Sequence, residues 1–89
     1  RLGIDQIDKQ LVRLIAQRQS YIEAAGRIKP RREDVHNQAR IDDVVRKVVA
    51  EAGRCGLQER IAEPVWRELI DRSIDYEYVI WDSAHAQSQ

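Results

Sequence analysis

The stretch that decides the fold is IDQIDKQLVRLIAQRQSYIEAAGRIK, residues 4–29. Apolar residues recur along it at the three- and four-residue spacing of one helix face, at Ile4, Ile7, Leu11, Leu14, Ile22 and Ala25. This spacing predicts one helix from about Leu2 to Ile28, because Pro30 lacks an amide donor and disfavours helical geometry at Lys29. Two shorter helices that fold back once cannot cover a helix of roughly 40 Å. We therefore expect part of its apolar face to contact a second copy of the chain.

A second apolar period follows a charged connector at residues 30–33. It places apolar side chains on one helix face, at Ile41, Val44, Val45, Val48 and Ala52. Glycine is common where helices end, so Gly53 and Gly56 predict the end of a second helix of about four turns.

A third apolar period predicts the last helix, with Val65, Trp66, Leu69, Ile70, Ile74, Ile80 and Trp81 on its apolar side. Pro64 fits best in the first turn of this helix, which predicts a separate short turn at residues 58–62. We expect the polar residues 83–89 to be frayed. Because no alternating strand pattern occurs, the sequence predicts an all-α fold in which residues 1–89 form one domain.

Composition narrows the classes of function. The chain has 89 residues and equal numbers of basic and acidic residues, 15 of each, so it lacks the positive charge expected of a nucleic-acid binder. It has no apolar run long enough to cross a membrane. A single cysteine, Cys55, excludes an intramolecular disulfide framework and favours a cytoplasmic location. A domain this small has a modest core, which makes a homodimer plausible.

Two cations interrupt the apolar face of the first helix. Arg18 and Lys29 are eleven residues apart, close to three helical turns, so both project from the same side about 16 Å apart at their backbones. A buried cation needs an anion, which is either a carboxylate of another helix or a ligand. Long side chains allow both basic groups to converge on one small molecule.

Polar residues also interrupt the other two faces. Ser73 and Glu77 lie four apart within the apolar line of the third helix, and Asn37 and Arg40 lie near the start of the second. Each has a structural alternative: Ser73 bonds a backbone carbonyl, Asn37 caps its helix, and Glu77 neutralises Arg18 or Lys29. Together, the inward cations outnumber the inward carboxylates, which favours a small dianion as the ligand.

Covalent, metal and nucleotide chemistry have little support in the sequence. Cys55 has no histidine nearby, and His36 and His85 are isolated rather than spaced as metal ligands. No glycine-rich phosphate loop is present. The sequence therefore predicts a site without a metal ion or cofactor.

The first helix resembles that of the all-helical chorismate mutases, a family that includes the isochorismate-pyruvate lyases. The likeness extends over essentially the whole chain and rests on Arg1, on Lys29 and on the pattern between them, Ile4-x-x-Ile7-Asp8-x-x-Leu11-x-x-Leu14-Ile15-x-x-Arg18. The resemblance implies an intertwined homodimeric helical bundle with two cofactor-free sites. It also implies that Arg1 is donated to the site of the partner subunit. Arg1 and Arg18 are about 100° apart around one helix, so they serve one site more easily from two chains.

The resemblance assigns roles to the remaining site residues. Arg18 and Arg40 match two same-subunit arginines, and Lys29 matches the lysine that reaches the ether oxygen and a carboxylate of the substrate. The backbone at Asn37 helps to hold the substrate, and Ser73 lies near a carboxylate.

Two positions depart from the most common pattern of the family. Ile41 stands where a glutamate often binds the ring hydroxyl, and the isochorismate-pyruvate lyases also have an apolar residue there. Glu77 stands where many members have a glutamine that donates to the ether oxygen. A glutamate donates only when protonated, so the resemblance implies a protonated Glu77.

The reaction implied is the Claisen rearrangement of chorismate, a dicarboxylate, to prephenate. Three alternatives stay open: an isochorismate-pyruvate lyase, a mutase for 4-amino-4-deoxychorismate, and a non-catalytic helical dimerisation or regulatory module that kept the fold.

Overall fold

The structure is a computed structural model that describes residues 1–86 and contains three α-helices, with no strand in that range. Helix α1 spans Leu2–Ile28, α2 spans Gln38–Cys55 and α3 spans Glu59–His85. A short 3-10 turn, Arg32–Asp34, lies in the connector between α1 and α2. The predicted all-α class is confirmed, and so are the predicted bounds of the first helix.

Helix α2 is longer than predicted because only one of the two glycines ends it. The side chain of Asn37 caps its start by accepting a hydrogen bond from the backbone amide of Arg40 at 3.1 Å. Gly56 ends it in a left-handed conformation, with φ of 77°. Gly53 lies inside the helix, so the prediction that it marks the end was wrong, and α2 has 18 residues, or about five turns.

Helix α3 is one continuous helix of 27 residues, as long as α1. The predicted separate turn at residues 58–62 was therefore wrong, and so was the prediction that the third helix is shorter than the first. The carbonyl of Gln58 accepts hydrogen bonds from the amides of Ile61 and Ala62, which starts the helix ahead of Pro64. Pro64 is the sixth residue of α3 rather than part of its first turn. Ala62 is almost completely buried, and this packing holds the residues on the N-terminal side of the proline in the helix.

The C-terminal end of α3 also differs from the prediction. Residues 83–85 are helical rather than frayed. The imidazole of His85 stacks on the indole of Trp81 with ring centroids 3.9 Å apart, and this contact stabilises the last turn. Ala86 lies at the end of α3, and the rest of the stretch predicted to fray, residues 87–89, lies outside the described residues.

Helix α3 lies between the other two helices. It runs antiparallel to α2, and the apolar side chains where they meet form the core, with Ile41, Val45 and Ile70 at the centre. It runs parallel to α1, since Arg18 meets Ser73 while Lys29, further along, meets Glu77. The chain therefore forms a layer about one helix thick, with extents of 50 × 29 × 15 Å.

Gly26 allows α1 and α3 to approach closely. It is the buried residue of α1, and a Cβ atom placed there would meet the side chain of Ile80 at 3.0 Å and the carbonyl oxygen of Glu77 at 3.1 Å. A side chain at position 26 would force the two helices apart.

The N-terminal half of α1 leaves its apolar face uncovered within the chain. Its large hydrophobic side chains are exposed, from Leu2 at 75% to Leu11 at 47%. No large side chain among the described residues is fully buried. None of the described helices is long and apolar enough to pass through a bilayer.

Candidate active site

A cavity of about 380 Å³ lies between α1, α3, the start of α2 and the connector. The seven same-chain residues predicted for the site all line it: Arg18, Lys29, Asn37, Arg40, Ile41, Ser73 and Glu77. They come from separate parts of the chain, and helical periodicity brings them together. Arg18, Ile22 and Ala25 lie on one face of α1, Lys29 follows the last residue of that helix, and Ser73 and Glu77 lie on one face of α3.

Arg18 carries a charge that no carboxylate within residues 1–86 neutralises. Its Nη1 donates to the hydroxyl oxygen of Ser73 at 2.9 Å, and it forms no salt bridge with the described residues. Burial lowers the pKa of Arg18, and the nearby charge of Arg40 lowers it further. The guanidinium still stays protonated at neutral pH. Ser73 thus contacts Arg18 rather than a backbone carbonyl, and Glu77 does not neutralise Arg18.

Lys29, unlike Arg18, is paired with a carboxylate of the chain. Its ammonium group forms an ion pair with Glu77, whose side chain is only 5% exposed. In the structure Glu77 therefore neutralises Lys29, which was one of the two structural alternatives predicted for this glutamate. In this contact the ammonium group donates and the Glu77 oxygen accepts.

Arg40 supplies a third cation, at the exposed edge of the cavity. Its Nη1 lies 3.4 Å from Asp43, but the same carboxylate also contacts Arg46 and Lys47. Hydrogen bonding to Lys47 is the main reason why the pKa of Asp43 lies below its ordinary value. One carboxylate shared by three cations leaves net positive charge beside the cavity.

The side chain of Asn37 caps α2, which is the structural role predicted for this residue. This bond fixes the first turn of α2 and holds the backbone of Arg40 beside the cavity. The two predicted roles are compatible, because capping uses the side chain of Asn37 and the family assigns its backbone to the substrate.

The remaining wall of the cavity is apolar. Ile41 contributes to it while packing against Val45 and Ile70 in the core, and it is 9% exposed. Val44, Ile70 and Ile74 continue this surface. An apolar wall excludes water, so the nearby charged groups act more strongly on a ligand than they would in solution.

Sequence reasoning missed three cavity residues, Tyr21, Asp34 and Val35. Asp34 and Val35 lie in the connector, which has no apolar period, and the predicted connector stopped at residue 33. Val35 is only 4% exposed. A single apolar residue among charged neighbours was the sign in the sequence that this side chain is buried. The carboxylate of Asp34 pairs with Arg31 at 3.1 Å.

The chain matches the family described as chorismate mutase type II over residues 1–78, a range that contains all the predicted site residues. The chain belongs to the chorismate mutase type II family. No curated protein matches it at a significant level. The match confirms the resemblance seen in the sequence and supports a function of the chorismate mutase type.

One residue that the family pattern assigns to the site lies outside the cavity. Arg1 is exposed and precedes α1, seventeen residues before Arg18, which corresponds to about 25 Å of helix. It is therefore too far away to reach the cavity of its own chain.

The other residues considered for covalent or metal chemistry also lie outside the cavity of this chorismate mutase family member. Cys55 is exposed at the end of α2, with its sulfur 3.6 Å from Glu51. Within the described residues, no group of three or more histidine, cysteine, aspartate or glutamate side chains is arranged to hold a metal ion.

Proposed function

We propose that the protein is a chorismate mutase that converts chorismate to prephenate without a cofactor. The observation that carries this proposal is the unneutralised guanidinium of Arg18 in a partly apolar cavity that Lys29 and Arg40 also line. A ligand with two carboxylates would compensate this charge. In the rearrangement one carbon–oxygen bond breaks as one carbon–carbon bond forms, so the step needs neither a nucleophile nor a redox partner.

The guanidinium groups would act on the geometry of the substrate. Arg18 and Arg1 of the partner subunit would each bind one carboxylate, because a guanidinium forms paired hydrogen bonds to a carboxylate. Holding both carboxylates places the enolpyruvyl arm over the ring and removes much of the entropic cost of reaching the reactive conformation.

Lys29 would act on the charge that develops on the ether oxygen as its bond to the ring breaks. An ammonium group already positioned beside the ether oxygen stabilises this charge more in the transition state than in the bound substrate. Protonated Glu77 would add a second donor, whereas ionised Glu77 would neutralise Lys29 as it does in the ion pair. Arg40 would add positive potential nearby.

The uncovered face of α1 supports a homodimer as the working form. A second α1 packed on this face would bury apolar side chains that a single chain exposes, each Leu or Ile contributing roughly 1.5–3 kcal/mol when fully buried. The distance between Arg1 and its own cavity supports the donation of Arg1 to the partner subunit. A cytoplasmic location stays a prediction from the single cysteine.

Ile41 favours a second candidate, a lyase acting on isochorismate or a mutase acting on the 4-amino analogue of chorismate. Its side chain lines the cavity but cannot hydrogen-bond the ring hydroxyl of chorismate. Glu77 argues against the lyase, which would have a glutamine at this place. The unneutralised charge of Arg18 argues against a non-catalytic module, since a cation without a ligand costs stability in a partly buried site.

Steady-state assays with the three substrates would test the proposal. Purified protein is supplied with chorismate, isochorismate or the 4-amino analogue, and both prephenate-type products and pyruvate are measured. We expect prephenate from chorismate, with activity lost in Arg18→Ala and kept in Arg54→Ala, which removes an exposed arginine at the far end of α2. Pyruvate from isochorismate would identify the lyase, and no product from any substrate would favour the non-catalytic module.

A further inference from the structure

Lys29 is held at both ends by side chains of α3. It follows the last residue of α1 and has an extended backbone, with ψ of 132°, before Pro30. Its ammonium group contacts Glu77, and its carbonyl oxygen accepts a hydrogen bond from Nε1 of Trp81 at 2.9 Å. Glu77 and Trp81 are four residues apart, so they project from the same face of one rigid helix.

Trp81 is itself held by the last turn of α3. Its indole stacks on the imidazole of His85 at 3.9 Å with an angle of 13° between the rings, and Nδ1 of His85 lies 2.8 Å from the carbonyl oxygen of Trp81. Both side chains are half-buried. The stack limits how far the indole can turn away from Lys29.

Trp81 and His85 lie beyond the segment that matches the family, which ends at Tyr78. Trp81 does not line the cavity either. Its hydrogen bond to the site goes to the backbone of Lys29.

We propose that Trp81 is a positioning residue, which fixes the backbone of Lys29 so that the ammonium group stays beside Glu77 in the cavity; the catalytic consequence rests on the proposed function. A lysine side chain has four flexible bonds, and fixing its backbone limits the volume that its ammonium group samples. The last turn of α3, through the stack of His85 on Trp81, supports this contact. The C-terminal end of α3 thus contributes to the site without touching the substrate.

Trp81→Phe tests this role because it keeps an aromatic ring for the stack with His85 and removes only the N–H donor. We expect kcat to fall by about tenfold, because displacement of a catalytic group by less than 1 Å costs rate. KM should change by less than about threefold, because the charge of Lys29 remains. Trp66→Phe is the matched control: Trp66 lies on the same helix, packs against the core and makes no hydrogen bond with the described residues. Its kcat should stay within about twofold of the wild type.

A second measurement follows Lys29 directly and does not need turnover. The chain has three lysines, Lys9, Lys29 and Lys47, so the ammonium NMR signal of Lys29 can be assigned by substitution. Trp81→Phe should shift or broaden this signal, and Trp66→Phe should leave it unchanged. In the wild type, the indole proton of Trp81 should exchange with solvent more slowly than that of Trp66.

If Trp81→Phe does not fold, His85→Ala provides a second test, because it removes the stacked imidazole and keeps the N–H donor of Trp81. It should speed the exchange of the indole proton of Trp81 and lower kcat by less than Trp81→Phe. Equal kcat in the wild type and Trp81→Phe, or an unchanged Lys29 signal, would overturn the proposal. A wild-type protein that converts no substrate would refute the proposed function, and the NMR signal would then decide whether Trp81 holds Lys29.

Discussion

The guanidinium of Arg18 donates to the hydroxyl of Ser73 at 2.9 Å, a neutral partner for a partly buried charge. A hydrogen bond to a hydroxyl orients the guanidinium without cancelling its charge. In a cavity whose other side is apolar, such a group stabilises the free protein less than it stabilises a complex with an anion. Removal of Arg18 should therefore lower activity without lowering stability.

Arg18→Ala should lower kcat/KM by at least about 100-fold, because a positioned donor contributes about 3 kcal/mol to the transition state. Its midpoint of thermal unfolding should not fall, since the variant removes an unneutralised cation. Lys29→Ala should lose activity to a similar extent. Ser73→Ala, which leaves the guanidinium in place, should cost less than about tenfold. Near-normal rates in Arg18→Ala would contradict the assignment.

Mixing two inactive variants tests whether Arg1 crosses between subunits. Arg1→Ala and Lys29→Ala should each be inactive alone. If Arg1 serves the site of the partner subunit, a mixed dimer has one intact site, and random reassociation of equal amounts should restore about a quarter of wild-type activity. The activity of the mixture is measured after brief denaturation and refolding. No recovery, although mixed dimers form, would show that Arg1 is not donated.

Glu77→Gln tests whether the site needs a hydrogen-bond donor at position 77. The amide cannot neutralise Lys29 and supplies an N–H donor at every pH. We expect kcat of Glu77→Gln to be at least that of the wild type, because the amide donates to the ether oxygen without neutralising Lys29. Glu77→Ala, which offers no donor, is the control and should be less active than Glu77→Gln. Equal kcat in Glu77→Gln and Glu77→Ala would contradict the role of a donor at this position.

Gly26→Ala should destabilise the protein by about 1–3 kcal/mol, because its methyl group would meet Ile80 and the backbone of Glu77. It should also lower activity, since α1 carries Arg18 and α3 carries Glu77. Gly53→Ala is the matched control within α2: nothing lies within 4 Å of its added methyl group, so it should stabilise the protein by about 0.5–1 kcal/mol. Urea unfolding measures both. Equal stability of the two variants would argue against the close approach of α1 and α3.

The hydrogen bond from Tyr76 to Glu23, at 2.6 Å, should make stability depend on pH. It is the main reason why the pKa of Glu23 lies below its ordinary 4.5 and the pKa of Tyr76 above its ordinary 10.0. A lowered carboxyl pKa adds stability that is lost as the pH falls through the folded value. A raised phenol pKa adds stability that is lost as the pH rises through the folded value.

Tyr76→Phe should therefore lose most stability relative to the wild type between about pH 4.5 and pH 10, and less on either side. Urea unfolding at a series of pH values measures the difference. Tyr21→Phe serves as the control because Tyr21 is 77% exposed, and its difference from the wild type should not vary with pH. A constant difference for Tyr76→Phe would contradict the assignment.

Helical periodicity accounts for what the sequence predicted well. Pro30 marked the end of α1, and the three- and four-residue spacing placed Arg18, Lys29, Ser73 and Glu77 on faces that turn toward one cavity. It could not decide whether Glu77 meets Arg18 or Lys29. That choice depends on how far α3 is shifted along α1, which the spacing within each helix does not determine.

Tertiary contacts explain what the sequence did not predict. Gly53 and Pro64 are unfavourable inside isolated helices, but neighbouring turns and buried Ala62 hold them in place. The last turn of α3 depends on the stack between Trp81 and His85, which a polar tail does not suggest. Asp34 and Val35 reach the cavity through the path of the connector, which has no period.

The shortest dimension of the chain, 15 Å, affects how substitutions act. In a thick globular protein, depth below the surface decides whether a change is tolerated. In this single layer of helices few side chains lie far from the surface. Whether a substitution is tolerated therefore depends on which side of its helix the residue faces. Neighbours in sequence can therefore differ sharply: half-buried Tyr78 lies outside the cavity, whereas buried Glu77 lines it. A mutational scan of α3 should rise and fall with the turn of the helix rather than peak at its middle.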